Sequence, residues 1–411
     1  MTHNPGSRFF LAALCACALL SAAALLPART ALNVGSAKGR TGSGEWTVLA
    51  PVSYKNLTIF PVRARGASAT DAYITLDEGT KQGTVVITEK GAQAARPPRH
   101  RRGAANRQVQ QAVSYDAGAS VNELALVNRS GRKLLLVAGE VVVGGQQDRI
   151  VQEDRIIPPV SVPVALNVFC VEHGRWTPRA TSYSGGGGTS GGGGGTSGNA
   201  ANVVARERAP IGVSAERAPA AEVVEDATPA KFSSLGAVAH PKLRAAAQDK
   251  QEQTAVWSEV QKNNEKLRTQ NSTDTYQEVY ANKEVSVQLD DYIRALEREV
   301  LQPGVVGVVV ARNGQPVWAD LFASPTLFAG YWPKLLKSYA VDALGDDTSE
   351  KRPTVAEAAR YLEARDGTVA TTTQTGVYQL IKTENPAYAV FELRDISLNA
   401  PLRLHFNKMD R

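Results

Sequence analysis

The densest polar chemistry in the chain lies in Gly139-Glu140-Val141-Val142-Val143-Gly144-Gly145-Gln146-Gln147-Asp148-Arg149, continuing to Asp154-Arg155 and Pro158-Pro159. Two adjacent glycines, Gly144 and Gly145, let successive backbone N–H groups converge on an anion. Arg149 adds a planar guanidinium that can grip phosphate or carboxylate through paired hydrogen bonds. Gln146 can read a neutral polar group. Against this stands a plainer explanation, a Gly-Gly turn between strands with Asp and Arg in rim ion pairs. The segment lacks the Gly-Lys-Ser/Thr ending of a nucleotide-binding loop and does not open a helix as a dinucleotide fingerprint does. One unbroken strand would turn Arg149 and Arg155 to one face and Asp148 and Asp154 to the other. A turn at Gln152-Glu153 would break that register, and the sequence allows both.

A second cluster is Cys170-Val171-Glu172-His173-Gly174-Arg175-Trp176. A Cys–His pair can make a nucleophile. A strand, however, puts Cys170 and Glu172 on one face and His173 on the other, and a buried free cysteine ordinarily packs as a small apolar residue. Arg175 and Trp176 suit a ligand wall through stacking. The candidate binding residues are therefore Glu140, Gly144, Gly145, Gln146, Arg149, Glu172, Arg175 and Trp176. Glu140 and Glu172 can balance Arg149 and Arg175, so the two segments are expected to meet at one polar rim. No complete catalytic set is present. His100, His173, His240 and His405 lack paired metal-ligand spacing, no serine elbow occurs, and no cofactor motif is found.

The elements that must hold these residues change character along the chain. Short β-branched segments fill the first half: Trp46 to Val52, Leu57 to Val62, Glu123 to Asn128, Lys133 to Val137, Glu140 to Val143 and Val162 to Val171. Tyr73 to Leu76 and Val85 to Thr88 flank a polar turn that suits a hairpin. Residues 179–235, with an almost pure Gly/Ser/Thr run at 184–198, are expected to be a disordered insertion. Helical spacing then begins, with one amphipathic helix expected over 242–269. Thr275-x-x-Glu278 has the form of a capping box, and a further helix carries Val287 to Val300. Asn313-Gly314 between apolar runs predicts a hairpin. Ser324-Pro325 starts a helix that Pro333 is expected to kink or split. Thr354-x-x-Glu357 starts another over 354–364, and strands near 377–382, 388–394 and 402–406 close the chain. The order predicts an α+β fold with antiparallel sheets. A β-rich half at 46–178 and a half of helices and hairpins at 236–410 form one domain, interrupted by the insertion.

Bulk properties bound the partners. The chain has 411 residues, 43% hydrophobic and 21% charged, with net charge +6. Part of the excess sits at Arg96, Arg99, Arg101, Arg102 and Arg107, which read as a solvated loop. No aromatic residues interleave there, so nucleic-acid stacking has no support. Arg8 precedes an apolar run from Phe9 to Leu26, with small-residue exits at Ala22-Ala23-Ala24 and Gly35-Ser36-Ala37. Residues 1–37 therefore read as a secretory signal peptide. The run is just long enough to anchor in a bilayer if uncleaved. Cleavage would leave Cys170 alone, so no internal disulfide is expected.

These segments resemble one family, the ARG and rhodanese-phosphatase-superfamily-associated protein domain. The likeness rests on Gly139-Glu140, Gly144-Gly145-Gln146, Arg149, Pro158-Pro159 and Val168 to Glu172 with Gly174-Arg175-Trp176. It extends to Val256-Trp257, Val305 to Val309, Asp320-Leu321-Phe322, Leu335 to Tyr339 and Leu404-His405-Phe406. It covers about 47–178 and 236–410. The resemblance implies a link to ADP-ribose or phosphorylated metabolites and carries no established reaction. The sequence as a whole predicts an exported, periplasmic or extracellular domain that binds a phosphorylated or anionic small molecule without catalysis. The alternatives are a hydrolase using Glu140, Asp148 or Glu172 as base, and a structural envelope protein.

Overall fold

The computed structural model describes residues 44–66, 68–90, 122–173, 231–346, 349 and 351–411, together with the backbone of 31–37. The fold is α+β, built on three sheets. The largest runs Ala31–Ala37, Gly367–Gln374, Tyr378–Glu384, Tyr388–Asp395, Leu402–Asp410, Gln315–Phe322, Val305–Arg312, Leu57–Ala64 and Trp46–Val48, with Val52–Tyr54 also on Leu57–Ala64. A closed barrel runs Arg149–Val151, Val160–Cys170, Glu123–Asn128, Val85–Glu89, Lys231–Val238 and Glu140–Gly144. A small sheet joins Arg155–Ile157, Lys133–Leu136 and Tyr73–Thr75, the last pair parallel.

Alternation along the strands sorts the core. Val142, Val151, Val168, Leu124, Leu126, Leu166, Ile87 and Phe232 fill the barrel, joined by Ile74, Leu134 and Leu136 of the small sheet. Small barrels are plugged by side chains in this way. The residues between them, Val141, Ile150, Phe169 and Val171, join the main core with helix Pro325–Ala343 and helix Lys283–Val300. The other face of the large sheet packs Phe60, Val309, Leu321 and Phe406 against helix Val355–Glu363. At Gly307 a Cβ would stand 2.1 Å from the Asp320 carbonyl and 2.6 Å from Leu321 Cα, so only glycine lets these two strands approach.

Local signals decided some elements and lost others to tertiary context. Asn313 and Gly314 take φ of 51° and 81° and turn the expected hairpin. Thr354 and Glu357 form the expected capping box. The segment 73–88 is not a hairpin. Thr75 and Glu78 close a capping box, and Leu76–Lys81 is a helix between strands of different sheets. The helix expected over 242–269 is broken: Pro241–Ala245 passes into a π turn at Ala246–Lys250, Gln251 turns left-handed at φ 56°, and Gln253–Leu267 restarts. Pro333 does not split its helix, which runs from Pro325 to Ala343 with both turns around it buried. The register question resolves as a break, because Arg149–Val151 lies in the barrel and Arg155–Ile157 in the small sheet.

Of the expected insertion, 179–230 lies outside the described residues, and Lys231 begins a barrel strand. The arginines from 96 to 107 also lie outside them. So do residues 1–30 of the expected signal, whereas Ala31–Ala37 pairs with Gly367–Gln374. No helix among the described residues is long and apolar enough to cross a membrane.

Candidate functional site

The two sequence clusters lie side by side. Arg149 pairs with Cys170 across two barrel strands, and Val171 donates its N–H to the Asp148 carbonyl at 3.0 Å. The Asp148 N–H donates to Glu172 at 3.2 Å. Helix Gln253–Leu267 locks the strand end: Gln253 accepts from the Cys170 N–H and donates to the Cys170 carbonyl, both at 2.9 Å. Trp257 meets the His173 ring edge-on at 4.6 Å. Thr275, expected to cap a helix, instead donates its hydroxyl to Asp148 at 3.0 Å. The one-turn helix Glu278–Ala281 that follows has no side-chain cap.

Arg149 shares a strand face with Val151 and stands opposite Val142, so it points into the barrel at one mouth. Glu89 and Gly144 end the two strands that flank Lys231–Val238, at the same mouth. The Gly-Gly loop is already filled from within. Gly144 donates its N–H to Asp148 at 3.2 Å, and Gln146 donates its N–H to Glu89 at 2.9 Å. The convergent amides therefore hold the protein's own carboxylates rather than standing open for an anion. The guanidinium of Arg149 differs. It is 1% exposed, its Nε has no hydrogen-bond partner, and Nη1 makes only a 3.4 Å contact to the Asp148 carbonyl. Cys170 is also buried. Burial pushes its thiol up, with Arg149 pulling the other way. A buried protonated thiol is a poor nucleophile.

Glu140 belongs elsewhere. It is on the same strand and face as Gly144 but at the opposite end of the barrel. There it accepts from Lys334 Nζ at 2.5 Å and from the Val137 N–H at 2.8 Å. Lys334 also reaches Asp77 at 2.8 Å. Burial raises Glu140's pKa, while Lys334 opposes the rise. Arg175 and Trp176 lie outside the described residues.

A third cluster has no site spacing in the sequence, although Asp320, Tyr339 and His405 fall in segments that carry the family likeness. Asp320 is fully buried and accepts from six donors. Arg244 supplies two at 2.7 and 3.0 Å, Trp318 Nε1 one at 2.8 Å, Asn407 one at 2.9 Å and His405 Nε2 one at 3.1 Å, with the Tyr339 hydroxyl as the last. A carboxylate offers about four lone-pair directions, so Asp320 is saturated. Burial alone would raise its pKa, but Arg244 and His405 together outweigh burial and hold it well below the usual range. His405 Nδ1 lies 2.6 Å from Asp154, which accepts from the Ala138 N–H at 2.8 Å. Burial disfavours the charged imidazole, yet Asp154 and Asp320 lift its pKa to about 9. It is therefore protonated at neutral pH and donates from both nitrogens.

The local reason is register. Asp320 stands opposite Asn407, and Phe322 opposite His405, on the face that meets the barrel. The cluster joins the large sheet to the barrel loop at Asp154 and to the helix bearing Arg244. Chemically it is a charge lock at neutral pH, with no lone pair of Asp320 left to take a proton. Its sequence signal is a charged residue inside an apolar run, as at Asp320 and Arg244, because such residues are rarely buried unless paired.

Fold and clusters together define a mixed α+β domain in which a plugged barrel and a broad antiparallel sheet are locked across a buried charge network. The chain belongs to the ARG and Rhodanese-Phosphatase-superfamily-associated Protein domain family, whose profile matches residues 45–192 and 226–394. Asp154, Arg244, Asp320 and Tyr339 fall within that match, and His405 lies beyond it. No curated protein and no solved structure matches the chain.

Proposed function

We propose that this chain is a non-catalytic domain that binds an anionic ligand at the barrel mouth, with Arg149 as its anchor. The observation that carries the reading is the nearly complete burial of a guanidinium with an idle Nε and no carboxylate bonded to it among the described residues. An isolated buried charge costs several kcal/mol, so an anion at this position would offset a standing cost. Phosphate and carboxylate are the groups whose geometry fits that fork. The hydrolase alternative finds less support. Glu140 is bound to Lys334 at the far end of the barrel, and Asp148 and Glu172 accept from backbone or hydroxyl donors.

The setting we propose is outside the cytoplasm, on the basic start and apolar run of residues 8–26. Cleavage after Ala24 would keep the edge strand Ala31–Ala37, whereas cleavage after Ala37 would remove it. N-terminal sequencing of the exported protein distinguishes the two sites, and recovery of the protein only in the cytoplasm would refute export.

The binding test uses thermal and urea stability with pyrophosphate, ADP-ribose and a sugar phosphate as separate probes. A probe at about 100 times its dissociation constant stabilises by about 2.7 kcal/mol. That gain should vanish in Arg149→Met, which fills the space without the charge. If no probe stabilises the natural chain, or if the variant gains equally, the reading fails.

A further inference from the structure

A cleft of about 350 Å³ opens on the large sheet beside Trp46–Val48 and shares no lining residue with the barrel mouth. Its apolar floor, on the sheet face that carries helix Val355–Glu363, is formed by Ala64 and Leu321. Its walls carry three guanidiniums, Arg65, Arg394 and Arg403, against one carboxylate, Glu45. That carboxylate is already bonded to Arg403. Glu392, behind the wall, is committed to Arg394 at 2.6 Å and reaches Arg403 at 3.6 Å.

The wall is built rather than incidental. The Trp46 ring is held by the guanidiniums of Arg403 at 4.5 Å and Arg365 at 4.7 Å, and meets Phe406 edge-on at 5.0 Å. Two positive charges near one indole fix its orientation at the cleft's side. Positive charge remains unspent. Arg65 makes no ion pair among the described residues, and the Nε of Arg394 is buried without a hydrogen-bond partner. Burial pushes Arg403 down to about 10, whereas Arg65 and the Arg394 guanidinium stay within reach of solvent and of an incoming anion.

We propose that this cleft binds a small organic oxyanion, a carboxylate or phosphate monoester carrying an apolar body. Arg65 and Arg394 take the head, and Trp46, Ala64 and Leu321 receive the body. The volume lies within the range of small-molecule sites, about 300–1,000 Å³. The site does not depend on Arg149, and its test is separable from that of the barrel mouth.

The experiment is calorimetric titration of the full chain with octanoate, octyl phosphate and inorganic phosphate. At least one octyl probe should bind, and inorganic phosphate should bind at least about tenfold more weakly than octyl phosphate, because it cannot use the floor. Tighter binding of octyl phosphate assigns the head as phosphate, and tighter octanoate assigns it as carboxylate. Arg65→Ala, at an exposed position where folding is not at stake, should weaken the octyl probes by about tenfold or more. Arg149→Met removes any contribution of the barrel mouth and should keep the octyl binding that Arg65→Ala weakens. No heat with either octyl probe, an unchanged affinity in Arg65→Ala, or loss of binding in Arg149→Met overturns the assignment.

Discussion

Raising the pH should loosen the lock around His405, by an amount that follows from the site. The imidazole is fully buried between Asp154 and Asp320, and its pKa rises from 6.5 to about 9. At about 1.4 kcal/mol for each tenfold change in proton affinity, that rise is worth about 3 kcal/mol. Because the folded pKa lies above the unfolded one, the stabilisation is fully present below pH 6.5 and is lost as pH rises through about 9. Lys408 works in the opposite direction. Burial lowers its pKa from 10.5 to about 8, so its penalty is present below pH 8 and fades as pH climbs toward 10.5. The total pH profile therefore mixes opposing slopes, and a comparison of variants isolates that of His405. Urea unfolding of the natural chain and of His405→Gln, from pH 6 to pH 10, supplies it. The stability gap between them should be widest near pH 6 and shrink by about 3 kcal/mol toward pH 10. A gap that stays constant across this range would refute a protonated His405 in the folded state.

Asp320→Ala strands Arg244 and His405 as buried cations and should cost about 3–5 kcal/mol in urea unfolding, and a loss under about 1 kcal/mol would show that the network relaxes. Lys334→Met should destabilise by about 3 kcal/mol, while Lys334→Met with Glu140→Leu should recover much of it, since a buried pair replaced by apolar groups is often neutral. Equal losses in the single and double variants would mean that the pair does not act as one unit. Gly307→Ala should lower the melting temperature sharply, because its Cβ would overlap the Asp320 carbonyl, and a melting temperature within a degree of the natural chain would contradict the strand spacing. Iodoacetamide should label Cys170 only after urea unfolds the protein, and rapid labelling of the native form would argue for an accessible thiolate.

Features that depend on a few neighbouring residues are legible in the sequence by itself. Asn313-Gly314 turns where two positive φ values are needed, Thr354 caps where Glu357 can answer it, and Val-rich runs become strands. The α+β class and the family follow from such local patterns in order, because hydrophobic period and turn chemistry are properties of neighbours in the chain. Three-dimensional packing decides the rest. Thr275 has a capping-box spacing, but Asp148, distant in sequence, takes its hydroxyl. Gly144 and Gly145 look like an open anion nest, yet Asp148 and Glu89 supply acceptors for the amides of Gly144 and Gln146. Glu140 and Arg149 sit in one motif, and an extended strand carries them to opposite ends of a barrel, where Glu140 meets Lys334 from a helix almost two hundred residues later. His405 has no spacing partner, because Asp154 and Asp320 reach it through sheet register and barrel contact, which no period along the chain encodes. Sequence spacing determines what a residue can do locally, whereas the protonation state and partners of a buried charge depend on which distant groups the fold brings within hydrogen-bond reach.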